Sequence, residues 1–333
     1  MRLKIYRLIK GVVIINMFNK KAFIRAVSIG MSTVVLVGAG LLTGCATAVN
    51  NGDGNGKTED KNPPAVQENK QDTIMPEFVA LLGENSKPDK LIEFINKNIS
   101  SVSAKDAATM LVELEKAQES YLPMLEDKYY KGETIQNSLN NVYKPGFELD
   151  KIDDIQDAEL KNLLAETRDM GYKVETAEGM YFPIMNYEYL KKYSPYASAD
   201  IKDYIDIMAV ETNKVPAKDA ALTIGWDEVI ERALAQESFI KKYGSSAKVE
   251  SMKELQKRYL TFMLYGLNNT PLFSYDTKMM DSEAKTAYKK AVKDNGDSEL
   301  MQMLGKYMEI LEKSNYKFTD EVDKFRKDAV ESN

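Results

Sequence analysis

From Thr73 to the C-terminus, apolar residues return every three or four positions, and that spacing confines this part of the chain to helices packed on helices. The clearest stripe follows Ser103. Ala107, Met110, Leu111, Leu114, Gln118, Tyr121 and Leu125 all fall on one face of a helix that Lys131-Gly132 ends. Ser103 can cap its first turn, and Asp106 favours the positive end of the helix dipole. Similar patterns predict helices over about 88–99, 156–170, 186–194, 199–212, 226–243, 247–266, 281–294, 297–314 and 319–330, with Pro and Gly between them or at their starts. Ala, Leu, Glu, Lys and Met are abundant, and β-branched alternation is scarce. The expected class is all-α.

Three words recur in order along this part. Ala104-Lys105-Asp106-Ala107-Ala108 returns at 217–221, Ala117-Gln118-Glu119-Ser120-Tyr121 as Ala235-Gln236-Glu237-Ser238-Phe239, and Leu139-Asn140-Asn141 at 267–269. The steadily growing offsets fit an internal duplication into two similar helical lobes, 73–195 and 196–333. The alternative is chance recurrence of short words in a helix-rich composition. A period this long does not match the common solenoid repeats.

The first 72 residues are of another kind. Lys20, Lys21 and Arg25 precede an uncharged apolar run, Ala26 to Leu42, diluted by Gly and Ser. Basic residues, an apolar core and small residues before a cut are the physical signature of an export signal. A transmembrane span would need about 20 predominantly apolar residues, and this run is weak for that. Leu42-Thr43-Gly44-Cys45 closes it and resembles the lipobox of bacterial lipoproteins, an aliphatic residue and two small residues before a cysteine. The resemblance implies cleavage between Gly44 and Cys45 and a diacylglyceryl group on the Cys45 thiol. Residues 1–44 are then the signal peptide, and the protein is lipid-anchored on the extracytoplasmic face of the membrane. Two acyl chains hold a protein stably where one does so only marginally. Met17 is followed by a complete signal of ordinary length, so translation from Met1 or from Met17 is open. Residues 45–72 are rich in Gly, Asn, Asp, Lys and Pro and are expected to form a disordered tether. Within them, Asp53-Gly54-Asn55-Gly56-Lys57 fails as a calcium loop. Lys57 takes a ligand position, Thr58 replaces the required Gly, and Pro64 stands where the bidentate Glu belongs.

Composition narrows the chemistry. The chain has no His and one Cys, which removes Ser-His-Asp and Cys-His machinery, His-containing zinc sites and an internal disulfide. Proton transfer would fall to Glu, Asp, Lys or Tyr. Residues 1–45 hold seven basic residues and no acidic one, which leaves 38 basic against 51 acidic residues beyond them. So acidic a domain is a poor nucleic-acid binder.

Three groups of residues are candidates for function. The Gln236-Glu237-Ser238-Phe239 word resembles the catalytic word of lytic transglycosylases, in which a helical Glu followed by Ser acts as general acid on cell-wall glycan. That resemblance implies a catalytic Glu237, although the downstream Gly-Leu-Met-Gln segment of the family is not present. The competing reading pairs Glu237 with a basic residue between packed helices. Tyr181, Tyr187 and Tyr189 lie in a tyrosine-rich stretch broken by Gly179 and Pro183, and could stack on sugars or meet a partner. Their alternative is to bridge core and solvent. Asp150, Asp153, Asp154 and Asp157 form an acidic run that fits a solvated helix start better than a metal site. No cofactor or metal is expected. The expectation is a binding or interaction module of the cell envelope, with an envelope protein or glycan as partner. A glycan-cleaving enzyme using Glu237 is the alternative, and a small-ligand receptor comes third, since strand–helix alternation is missing.

Overall fold

The computed structural model describes residues 70–331, except 85, 145 and 146. The expected signal peptide, Cys45, the calcium-like loop and the expected tether up to residue 69 lie outside these residues, and residues 70–72, expected to belong to the tether, open a helix instead. The described chain is all-α. Its helices are α1 (Lys70–Gly83), α2 (Pro88–Asn98), α3 (Ala104–Tyr130), α4 (Glu133–Val142), α5 (Ala158–Asp169), α6 (Tyr187–Leu190), α7 (Ala199–Asn213), α8 (Trp226–Lys242), α9 (Val249–Tyr265), α10 (Ser282–Asp294), α11 (Glu299–Lys313) and α12 (Asp320–Glu331). Among these residues no helix is long and apolar enough to cross a membrane.

The helices start where local chemistry lets them. The Ser103 hydroxyl accepts the Asp106 amide at the head of α3. Asp157 takes the Glu159 and Leu160 amides at the head of α5, Asp281 the Ala284 amide at α10, and Ser298 the Met301 amide at α11. Each cap satisfies a donor that a helix start leaves without an intrahelical partner, worth about 1 kcal/mol. The expected stripe of α3 is its buried face, with Met110, Leu114, Gln118 and Leu125 at 0% exposure. Pro123 lies inside α3 and cannot donate to the carbonyl of Glu119 four residues earlier.

The largest departure from expectation lies between α5 and α6. Strands β1 (Tyr172–Ala177) and β2 (Met180–Met185) pair antiparallel across a two-residue turn. Glu178 and Gly179 both have positive φ, the turn that matches the right-handed twist of paired strands. The hairpin lies against α3. Gln136 of α4 holds it by accepting the Tyr181 amide and donating to the Tyr181 carbonyl and to that of Tyr129. Two shorter hairpins follow, β3 (Ala217–Lys218) with β4 (Ala221–Leu222), and β5 (Gly266–Leu267) with β6 (Thr270–Pro271). Their tips meet. Asn269 donates its side chain to the Asp219 carbonyl and its amide to the Ala220 carbonyl, and Asp219 accepts the Glu178 amide from the first hairpin. The helix expected over 186–194 is only the short α6, followed by a 3-10 helix over Lys191–Tyr196 that contains Pro195.

The repeated words do not all take one shape. Residues 104–108 open α3, whereas 217–221 form a hairpin in which Asp219 and Ala220 have positive φ. Leu139-Asn140-Asn141 is helical, whereas Leu267 ends β5 and Asn268 and Asn269 form the turn of the third hairpin. Only the Ala-Gln-Glu-Ser words are helical in both places, and Gln118 and Gln236 are both fully buried. One hydrophobic cluster runs from Ile74 to Val322 and includes residues on either side of position 195.

Candidate functional site

Interior carboxylates are costly unless donors surround them, so they mark where a helical protein has committed its polar chemistry. Two such groups organise this one. The first is Glu115, on the buried face of α3 and 3% exposed. Its Oε1 accepts hydrogen bonds from the hydroxyls of Tyr187 and Tyr204, each at 2.6 Å. Its Oε2 lies 2.5 Å from Nζ of Lys248. The donors arrive from α6, from α7 and from the residue just before α9. The Lys248 ammonium also lies 5.2 Å from the centre of the Tyr204 ring, a cation–π distance. Burial raises the affinity of both tyrosine hydroxyls for their protons, and the Glu115 charge adds to it.

Glu119 sits one turn further along α3 and is half-buried. Burial pushes its carboxyl up to about 7, the nearby Glu115 charge adds to the rise, and Lys248 and Lys116 oppose it. Beside it, Gln118 donates to the Met170 carbonyl at 2.8 Å and Tyr172 donates to the Gln118 carbonyl at 2.6 Å. Gly171 makes that contact possible. Its φ is +77°, and a Cβ there would lie 2.4 Å from Nε2 of Gln118.

The second group centres on Glu211 of α7, 1% exposed, and Arg232 of α8, 5% exposed. The Tyr259 hydroxyl of α9 lies 2.7 and 2.8 Å from the two Glu211 oxygens. Arg232 lies 3.5 Å from Glu211, and donates to Glu228 at 2.6 Å and to the Lys214 carbonyl at 3.0 Å. Burial raises the Glu211 carboxyl above its ordinary value against the pull of Tyr259 and Arg232. The group joins α7, α8 and α9 where they pack.

The residues singled out from the sequence fall elsewhere. Glu237 reaches from α8 to the start of α11, where its Oε2 accepts the Ser298 hydroxyl at 2.5 Å and its Oε1 the Leu300 amide at 2.8 Å. A carboxylate at a helix N-terminus is favoured by the dipole and by the free amides. Glu237 therefore neither pairs with a basic residue at this contact nor keeps an oxygen without a donor. Tyr181 is 9% exposed, with its ring 5.0 Å from that of Tyr143. Tyr187 is 2% exposed and serves Glu115. Tyr189 is half-buried, with Lys192 3.8 Å from its ring centre. Asp157 caps α5 and accepts the Ser138 hydroxyl at 2.7 Å, and Asp153 lies 3.5 Å from Lys161. Among the described residues no cluster of three or more His, Cys, Asp or Glu side chains is placed to hold a metal ion.

Sequence reasoning passed over Glu115, Lys248, Glu211 and Arg232. Glu115 and Glu211 carried a signal, since each stands among apolar residues at helical spacing where a charge needs an interior partner. Lys248 carried none, because it lies before α9 in a polar stretch. Compared with models of protein families, with curated proteins and with solved structures, the chain matches none of them.

Proposed function

We propose that the chain is an extracytoplasmic lipoprotein, anchored through a diacylglyceryl group on Cys45, whose helical part serves as a non-catalytic binding or interaction module of the cell envelope. The observation that carries the reading is Leu42-Thr43-Gly44-Cys45, placed directly after an uncharged apolar run with basic residues before it. The stretch from Ala46 to Asn69, with little to bury, would let the acidic helical part stand away from an anionic surface. Interaction rather than catalysis is favoured by the use made of Glu237. Both its oxygens hold the start of α11, so a general-acid role would compete with that contact. Glycan cleavage through Glu237 therefore draws less support.

The test is Cys45→Ala followed by cell fractionation. The variant is expected to keep the far-ultraviolet circular dichroism of a helical protein while leaving the membrane fraction or staying as an uncleaved precursor. A fully processed, membrane-bound product in unchanged amount would sink the proposal.

A further inference from the structure

We propose that α8 carries an interior water-binding site, in which one ordered water bridges the side chains of Arg232 and Gln236. Gln236 is 0% exposed and Arg232 5% exposed. They stand four residues apart on α8, so both side chains leave the same side of the helix, with Cβ atoms about 6 Å apart. Among the described residues neither atom of the Gln236 amide has a hydrogen-bonding partner, and neither has Nε of Arg232. The rest of the guanidinium is engaged. Its Nη1 lies 3.3 Å from the Tyr259 hydroxyl and 3.5 Å from Glu211, and its Nη2 donates to Glu228 at 2.6 Å and to the Lys214 carbonyl at 3.0 Å. Two donors and one acceptor are thus left on one side of one helix. A water meets that set, since its oxygen accepts two protons and it has protons of its own to give. Three bonds to otherwise unsatisfied groups is the usual count for a buried water.

Charge and size select water over other ligands. An anion beside Arg232 would also face the carboxylates of Glu211 and Glu228, and a cation would face the guanidinium. The occupant is therefore neutral. Both side chains are sealed from solvent, so it is also small. Ala233, fully buried and three residues before Gln236, contributes only a methyl group to the space beside the amide. A buried amide without partners is costly, and an apolar side chain at 236 would avoid that cost. Gln118, which holds the same place in the other Ala-Gln-Glu-Ser word, gives its amide protons to the Met170 carbonyl at 2.8 Å. Gln236 has no such carbonyl among the described residues, and the water takes that part. It also ties Gln236 to the Glu211–Arg232–Tyr259 group that joins α7, α8 and α9.

The test is a crystal structure of the full chain at a resolution that shows ordered water. One water is expected within hydrogen-bond distance, about 3 Å, of both Arg232 Nε and the Gln236 amide. The absence of any water that touches both residues overturns the proposal, as does a direct bond between the two side chains. Gln236→Met is a second measurement, made by urea unfolding followed through the fluorescence of Trp226. Met keeps the length of the side chain but gives up both polar atoms. If the water is there, the substitution removes its second holder and leaves the Arg232 Nε–H without a partner, so the urea midpoint falls. If the amide is dry, exchanging it for an apolar chain relieves two buried atoms that had no partner, and the midpoint rises. A lower midpoint is expected, and an unchanged or higher one overturns the site.

Discussion

Replacing Lys248 with Met separates the buried ion pair from the hydrophobic packing around it. The Met side chain keeps most of the apolar stem, so the principal loss is the ammonium 2.5 Å from Glu115. Removing one partner of a buried pair costs about 3–5 kcal/mol, because the other charge stays inside without its counterion. Glu115 keeps two tyrosine donors at 2.6 Å, which places the expected loss at the lower end, about 3 kcal/mol. For a folded unit of this size that is a fall in melting temperature of roughly 6–12 °C. The chain has a single tryptophan, Trp226, which is 8% exposed, so its fluorescence follows urea unfolding directly. Adding Glu115→Gln to Lys248→Met removes the stranded charge and should restore part of the loss, which a double-mutant cycle measures. Lys90→Met, at an exposed pair with Glu93, serves as control and should leave the urea midpoint close to that of the natural sequence. A Lys248→Met variant as stable as that control would refute the view that this pair holds the interior together.

Two further outcomes follow from the geometry. Glu237→Gln leaves one oxygen to accept and turns the other into a donor beside the Ser298 hydroxyl and the Leu300 amide, so about 1 kcal/mol of stability should be lost in urea denaturation. Release of fragments from purified wall glycan by the natural chain, abolished in Glu237→Gln at equal stability, would show instead that this residue is catalytic. Gly171→Ala asks alanine to adopt a φ of +77° and to share space with Gln118, and should cost about 2 kcal/mol or more. A loss below about 0.5 kcal/mol would mean that the turn moves freely to accept a side chain.

Glu119 makes overall stability depend on pH. Its carboxyl is raised in the folded state, so the fold binds a proton that the unfolded chain gives up at lower pH. Stability is then fully present below the ordinary glutamate value and declines as pH rises through about 7. A carboxyl that holds its proton to a tenfold lower acidity does so at about 1.4 kcal/mol, and partial exposure reduces the whole contribution of Glu119 to about 1–2 kcal/mol. Glu119→Gln should remove this slope.

Much of the helical frame was legible because each helix announces itself locally. Ser103 and Ser298 sit where caps belong, and the stripes of α3, α8 and α11 carry their own period. The first hairpin was not legible from Gly179 and Pro183 alone. Both break a helix, but what makes strands of the flanking residues is Gln136 and α3, which are distant in sequence. The Ala-Lys-Asp-Ala-Ala words make the same point. Five identical residues start a helix after Ser103, yet fold into a turn where Asn269 and Thr270 supply hydrogen bonds across β3 and β4. Site chemistry was harder still. Periodicity shows that a charged residue faces inward, but not which lysine or tyrosine will meet it there. Glu237 lies near its apolar stripe and is the natural choice from sequence, but it spends its oxygens on a neighbouring helix start. Glu119 falls off its own stripe, yet it stands beside the buried Glu115–Lys248 pair.

The most direct test of the anchor, on which the proposed function rests, is a mass spectrum of the protein extracted from membranes, intact and after proteolysis. The expected result is an N-terminal peptide that begins at Cys45 and carries the mass of a diacylglyceryl group. A peptide that retains Ala26–Leu42 with an unmodified Cys45 would contradict it and make the apolar run a membrane tether.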